Sequence, residues 1–404
     1  MRGRDLQAFE KRVREELCGN IIPFWLAHVV DDEHGGFIGE MSNDLVVDAQ
    51  AHKGLILNAR LLWTFSALYR FEPDPRYLDL AQRACDHLEQ HFWDDRFGGA
   101  FWRVDYRGEL LDDKKKIYGQ AFYLYALSEY YLATEDAAAR ARAVELFELI
   151  ERYSHDDVHG GYCETYHRDW TIAQDARLSD KDMNESKSMN NHLHLLEGYT
   201  NLYRIWCVPQ VEAALASLIT VFGDHIIDSR TFHFGHFFDE TWQRKSDTYT
   251  FGHDIEGSWL LCEAADVLGD DGLMRGMDDV VLTMAERVRS EGLDDDGGLF
   301  YEGRAGDVID TNKEWWPQAE AVVGFLNAYQ LSGRDCFLDA AQNNWAFIER
   351  CIVDHTHGEW FWRVARDGTP DLGEPKVSEW KSPYHNTRAC LEAIRRLRFI
   401  NKGE

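Results

Sequence analysis

Positive charge is what this chain lacks most. Its 43 Lys and Arg stand against 71 Asp and Glu, a formal net charge of −28 over 404 residues. So acidic a surface repels phosphate backbones and anionic membranes, which excludes nucleic acid and membrane as expected partners and favours a neutral or cationic ligand. The eight cysteines are scattered with no CxxC pair, so neither a zinc site nor a disulfide framework is indicated. No long apolar run occurs. The opening "MRGRDLQAFEKRVREEL" reads as a charged amphipathic helix rather than a signal peptide, and a soluble, cytoplasmic protein is expected. A Gly-rich phosphate loop ahead of a helix and a G-x-S-x-G elbow are both missing. Linkers, low-complexity stretches and composition shifts are missing too. A length that by itself suggests two or three domains is therefore read as one domain, residues 1–404.

Aromatic residues, by contrast, are abundant: 14 Trp, 17 Tyr and 22 Phe. Such a load serves a large core, and equally a ligand with ring faces to stack on, such as a sugar. One short pattern also recurs: "DDEHGGF", "DDRFGGAFW", "DDVHGGYCE", "DDDGGLFYEG" and "DHTHGEWFW", with a degenerate copy, "DSRTFHFGHFFDE", from Asp228. The spacing is mostly about 60 residues, and self-similarity at a fixed period marks a repeat architecture. Each of the six units holds two helix-length apolar-periodic segments around a Gly-Gly turn into a short strand. Six helix pairs close into an all-α toroid, an (α/α)6 barrel with short β-hairpin pieces between the pairs.

The second helix of each unit is expected to start near His52, Lys115, Ser186, Phe251, Asn312 and Glu379. Unusual polar and aromatic residues gather there: Arg60, Tyr118, Asn190 with His194, His253 with Glu256, Trp315 with Trp316, and Trp380 with His385. If these inner helices run parallel, all the clusters meet at one mouth. The helix N-termini there turn unsatisfied N–H groups and positive dipole ends toward it, a setting that favours a developing anion.

Two constellations need weighing. In "NNHLHLLEG", His192 and His194 on a helix point about 200° apart, and Asn190, at the i,i+4 spacing from His194, is a poor zinc ligand; a metal site is not expected. In "YTFGHDIEGSWLL", His253 and Glu256 are three apart and share a helix face. The dipole favours a neutral imidazole, and Glu256 is expected to fix its tautomer. The alternative is a polar pair that only cross-links helices; His385, at the same place in the last inner helix, favours acid–base chemistry. Trp316 and Trp380, beside Pro317 and Pro383, suit the apolar face of a sugar ring.

The blocks "KGLILNARLLWTFS", "KSMNNHLHLLEGYTNLYR", "FGHDIEGSWLL", "WWPQAEAVVGFLNAYQ", "GEWFWRV" and "WKSPYHNTRACLEAIRRL" closely resemble cellobiose 2-epimerases of the N-acylglucosamine 2-epimerase superfamily, nearly end to end. The resemblance implies an (α/α)6 barrel that needs no cofactor and no metal. The implied activity is C2 epimerisation of the reducing-end glucose of β-1,4-linked disaccharides, cellobiose or lactose. By the same resemblance, His253 and His385 match two catalytic histidines, Glu256 the carboxylate supporting the first, and Arg60 the arginine near the C1–C2 oxygens. Tyr118, Asp182, Asn190, His194, Trp316 and Trp380 match substrate-contacting positions. Asn191 stands where the family pattern has Thr. A monomer is expected rather than an oligomer. The rival readings are a monosaccharide 2-epimerase or a mannose-type aldose–ketose isomerase of the same superfamily, an inverting glycosidase, and a non-catalytic sugar-binding toroid.

Overall fold

The computed structural model describes residues 2–269 and 271–402. Its α-helices, in chain order, are α1 (Arg2–Glu16), α2 (Ile22–His28), α3 (Leu55–Phe71), α4 (Pro75–His87), α5 (Ile117–Thr134), α6 (Ala137–Tyr153), α7 (Met189–Ile205), α8 (Pro209–Val221), α9 (Phe251–Leu268), α10 (Asp271–Arg287), α11 (Trp315–Ser332), α12 (Asp335–Phe347) and α13 (Tyr384–Lys402). α1 runs through a π-helical turn, Leu17–Ile21, into α2 as one rod. The twelve rods form two rings. α3, α5, α7, α9, α11 and α13 each pack on the next, and α13 returns to α3. Around them lie α4, α6, α8, α10, α12 and the α1 rod, one against each inner helix.

The inner helices are covered on both sides: residues 55–68 of α3 are all buried, as a helix inside a second shell must be. Outer helices are two-faced, as in α4, where Ala81, Ala84 and Cys85 face inward and acidic and basic residues face out. None of the described helices is long and apolar enough to cross a membrane.

The repeated turn does identifiable work. An isolated β-bridge closes it in all six units: Val30 to Phe37, Trp93 to Ala100, His155 to Tyr162, Ile227 to Phe234, Leu293 to Leu299 and Val353 to Trp360. The degenerate copy at Asp228 is thus a full member. Small antiparallel sheets lead into the inner helices, Lys53 opposite Val104, Lys115 opposite Tyr166, Lys187 opposite Phe238 and Lys313 opposite Val364. These four lysines are buried, two residues before their helix. Each sends its ammonium 2.7–3.1 Å from the turn aspartate, Asp31, Asp94, Asp156 or Asp294. A cation buried on a carboxylate and backbone carbonyls is well compensated, and it ties each turn to the next inner helix. In the degenerate unit Tyr249 takes the lysine's place and stacks on His233 at 3.6 Å. His233 in turn bonds Asp254 of α9 at 2.7 Å.

Five of the six inner helices begin two to five residues later than the sequence pattern suggests, at Leu55, Ile117, Met189, Trp315 and Tyr384; α9 begins at Phe251 as expected. The inner helices run parallel. Their C-terminal residues, among them Arg70, Glu129, Arg204 and Glu263, line a cavity at the far end. Their first turns meet at the near end.

Candidate active site

Each inner helix aims the residues of its first two turns into the near-end mouth. Asn190 and His194 on α7, and Trp316 and Glu320 on α11, repeat the i,i+4 spacing that puts side chains on one face. Arg60, Tyr118, Glu256, His385 and Arg388 project from the corresponding turns of α3, α5, α9 and α13. Close helix approach makes the convergence possible. At Gly252 a Cβ would lie 2.7 Å from the Trp316 ring and 2.9 Å from Pro317, so α9 and α11 touch there through bare backbone.

One half of the site is built on Arg60. It donates to the Tyr118 hydroxyl at 3.0 Å and to the Trp380 carbonyl at 3.1 Å, and its guanidinium lies 4.5 Å over the Phe122 ring. Tyr118 meets His194 edge-on at 5.0 Å and Trp380 at 6.1 Å. His194 holds Glu197 at 3.0 Å through Nδ1. The other half holds two histidines. The Trp316 ring touches both, His253 at 4.6 Å and His385 at 5.7 Å. His385 Nδ1 lies 2.7 Å from Glu320, and His253 Nδ1 lies 2.6 Å from the Thr250 hydroxyl. With both Nδ1 atoms engaged, each ring keeps Nε2 for a ligand. His253, Asn190 and Asp182 line a cleft of about 450 Å³. Asp182 is held there by Ser179, whose backbone N–H it accepts at 2.8 Å.

Arg388 joins the halves. It donates to Glu256 at 2.6 Å and Glu320 at 2.7 Å from one nitrogen, and to Glu197 and Tyr384 from another. Three buried carboxylates thus share one guanidinium. Burial, then the neighbouring Glu320, pushes the Glu256 pKa up from the usual carboxylate range, against the pull of Arg388. Burial also acts against the Glu197 carboxylate, but Arg388 and His194 outweigh it and its pKa falls. Burial drives both His253 and His385 well below the ordinary imidazole value. Nearby histidines add to this at His253, and Arg60 and Arg388 at His385. Both rings are neutral at physiological pH, ready to accept a proton.

Glu256 is where the structure corrects the sequence. It does not hold His253: the nearest imidazole nitrogen to it is His385 Nδ1, at 4.0 Å. Three residues along a helix permit a pair, but the charged guanidinium across the lumen is the stronger partner, and Glu256 turns to it. The support of His253 falls to Thr250, and that of His385 to Glu320; sequence reasoning singled out neither, nor Arg388. Arg60, Tyr118, Asp182, Asn190, His194, His253, Trp316, Trp380 and His385 all gather at the mouth. Asn191 is buried behind Asn190, its N–H on the Ser188 hydroxyl at 3.1 Å, which leaves Asn190 and His194 in register. His192 points away, as expected, accepting from the Tyr162 N–H at 2.9 Å in the neighbouring turn. Atoms of Glu256, Glu320 and His385 do converge within 4.8 Å, a possible cation cage. The Arg388 guanidinium already bonds both carboxylates, so a metal ion would have to displace it.

The chain is similar to known proteins over nearly its full length. Residues 36–389 match the model of the family described as N-acylglucosamine 2-epimerase. The chain is 45% identical to a cellobiose 2-epimerase of Bacteroides fragilis over 96% of its own length and 99% of the relative's. It is 39% identical to one of Dictyoglomus turgidum, over 97% and 100%. The solved cellobiose 2-epimerase of Bacillus thermoamylovorans superposes with a TM-score of 0.92 at 38% identity, covering 96% of this chain and 100% of that one. A pair of neutral imidazoles either side of an indole, an arginine at the same mouth and near full-length similarity lead to one assignment: the chain belongs to the N-acylglucosamine 2-epimerase family.

Proposed function

We propose that this protein epimerises C2 of the reducing-end glucose of a β-1,4-linked disaccharide, converting cellobiose to glucosylmannose and lactose to epilactose. The observation that carries this reading is the pair of neutral histidines, each anchored through Nδ1, on either side of Trp316. Removing a proton from one face of a carbon and returning it to the other is a task that such a pair can serve.

The C2 proton is acidic only next to an open aldehyde. One histidine first moves a proton between O1 and O5 to open the ring. An imidazole Nε2 then takes the C2 proton, leaving an enediolate. Its negative charge develops where Arg60 and the inner-helix N-termini already point, so no reorganisation is needed when it forms. The proton returns to the opposite face of C2, from the second imidazole or, after rotation of the intermediate, from the first. Ring closure completes the cycle with no net gain or loss of protons or electrons. Trp316 and Trp380 supply apolar ring faces for the sugar, and Asp182, Asn190 and His194 supply polar contacts. The whole chain acts as one catalytic domain, taken here as a monomer.

Incubation with cellobiose and with mannose, followed by chromatography of the products, tests the reading. Glucosylmannose from cellobiose is expected. Fructose from mannose would instead identify an aldose–ketose isomerase, free glucose from cellobiose a glycosidase, and no change a sugar-binding protein.

A further inference from the structure

The two histidines have unequal partners. His385 Nδ1 rests on a carboxylate, Glu320, at 2.7 Å; His253 Nδ1 rests on a neutral hydroxyl, that of Thr250, at 2.6 Å. Thr250 is the N-cap of α9, yet its side chain makes no capping bond. Ser188, at the same place on α7, does what an N-cap hydroxyl normally does and accepts the backbone N–H three residues on, from Asn191. In α9 the third residue is His253, and the hydroxyl bonds its ring instead. Thr250 is pinned from behind as well, its backbone N–H donating to His236 Nε2 at 3.2 Å. His236, half-buried and held neutral with a pKa of about 4, is suited to accept. A stabilising cap has been given up for a contact that acts on one imidazole.

Resting on the epimerase reading above, we propose that Thr250 is a positioning residue for the reaction: it fixes the Nδ1–H tautomer of His253 and makes His253 the weaker base and stronger acid of the two histidines. When an imidazole gains a proton at Nε2, a carboxylate at Nδ1 stabilises the resulting cation far more than a hydroxyl does. The His385–Glu320 pair is therefore built to take a proton and the His253–Thr250 pair to give one up. Going from the glucose to the mannose configuration, His385 Nε2 removes the C2 proton and later loses it to solvent, while His253, after taking a proton from solvent at Nε2, returns it to the other face. The reverse reaction exchanges the roles, and proton exchange with solvent resets the pair. The groups around His253 are consistent with this. His236, His194 and His385 face it and add no negative charge, and Trp316 covers its ring.

The test uses the full chain with Thr250→Val, which keeps the shape and removes the hydroxyl, and Thr250→Ser, which restores it. Nitrogen-15 spectra of the histidine rings should show His253 as the Nδ1–H tautomer in the parent and in Thr250→Ser, and a mixture of tautomers in Thr250→Val, with His385 unchanged throughout. Turnover of Thr250→Val should fall about tenfold or more with KM within about twofold, and Thr250→Ser should recover most of it. Measured from the glucose to the mannose configuration, the basic limb of the Thr250→Val rate profile should move to lower pH, since the valine cannot accept from the imidazolium. An unaltered His253 tautomer in folded Thr250→Val overturns the proposal whatever the turnover. So does an altered tautomer with the parent's rate profile. The spectra read Thr250 directly, so they separate failure of this inference from failure of the epimerase assignment, which the product analysis decides.

Discussion

Glu320 holds the Nδ1 of His385 at 2.7 Å and is itself held, by Arg388 at 2.7 Å and by the Trp259 indole N–H at 3.0 Å. A histidine oriented by a carboxylate that is fixed in its turn is the arrangement by which a neutral ring is kept in one tautomer and made a better base.

Glu320→Gln should therefore lower turnover, by about 10-fold or more, while leaving KM nearly unchanged. The amide still accepts from Nδ1–H, but it no longer stabilises the imidazolium, so the acid limb of the pH–rate profile should shift downward. Steady-state kinetics between pH 5 and 9 checks this. A profile that stays in place would assign Glu320 to holding Arg388 alone.

At Gly252 the contact between α9 and α11 leaves no space for a side chain. Gly252→Ala puts a Cβ 2.7 Å from the Trp316 ring, which must move, and with it the surface shared by His253 and His385. The expected outcome is a loss in kcat/KM of at least tenfold against a stability cost of about 1–3 kcal/mol for overpacking. Kinetics together with denaturant unfolding measures both; wild-type kinetics would show that the indole can shift without consequence.

The sequence displays the frame of this site better than its wiring. The turns announce themselves because Asp and Gly-Gly are demanded locally, by an Asx-type turn and by left-handed backbone at residues such as Gly98 and Gly99. His253, His385 and Arg60 are visible because polar residues at the start of apolar helices need a reason. Arg388 and Glu320 are not visible: Arg388 is one of several arginines of α13 and Glu320 sits in the largely apolar α11, and the role of each depends on which helices face each other across the lumen. Glu256 misleads for the same cause. Spacing along α9 gives its direction, but the partner is set by α13. Thr250 does not stand out in the sequence, and only the side-chain geometry shows that its hydroxyl meets an imidazole.

The ring is closed by the segment before α13, where Glu379 accepts from Arg103 at 2.6 and 2.7 Å and lies 3.2 Å from His52. Burial raises the Glu379 pKa, but His52 and Arg103 outweigh it and bring it down to about 2. A carboxylate with a depressed folded-state pKa stabilises the protein above its unfolded-state value and loses that contribution as pH falls toward the folded one. The difference corresponds to roughly 3 kcal/mol. The wild type should thus lose stability from about pH 4.5 down to pH 2, and Glu379→Gln should be less stable at pH 7 yet flatter across that window. Parallel acid-unfolding curves for the two proteins would contradict this role.

Solvent exchange at C2 tests the central claim most directly. In deuterated water the epimerised product should carry deuterium at C2, because the imidazole that returns the proton exchanges with solvent. His253→Ala should abolish both epimerisation and incorporation, by a factor of about 10² to 10⁴. Product free of deuterium after many turnovers, together with an active His253→Ala variant, would contradict proton transfer through these histidines.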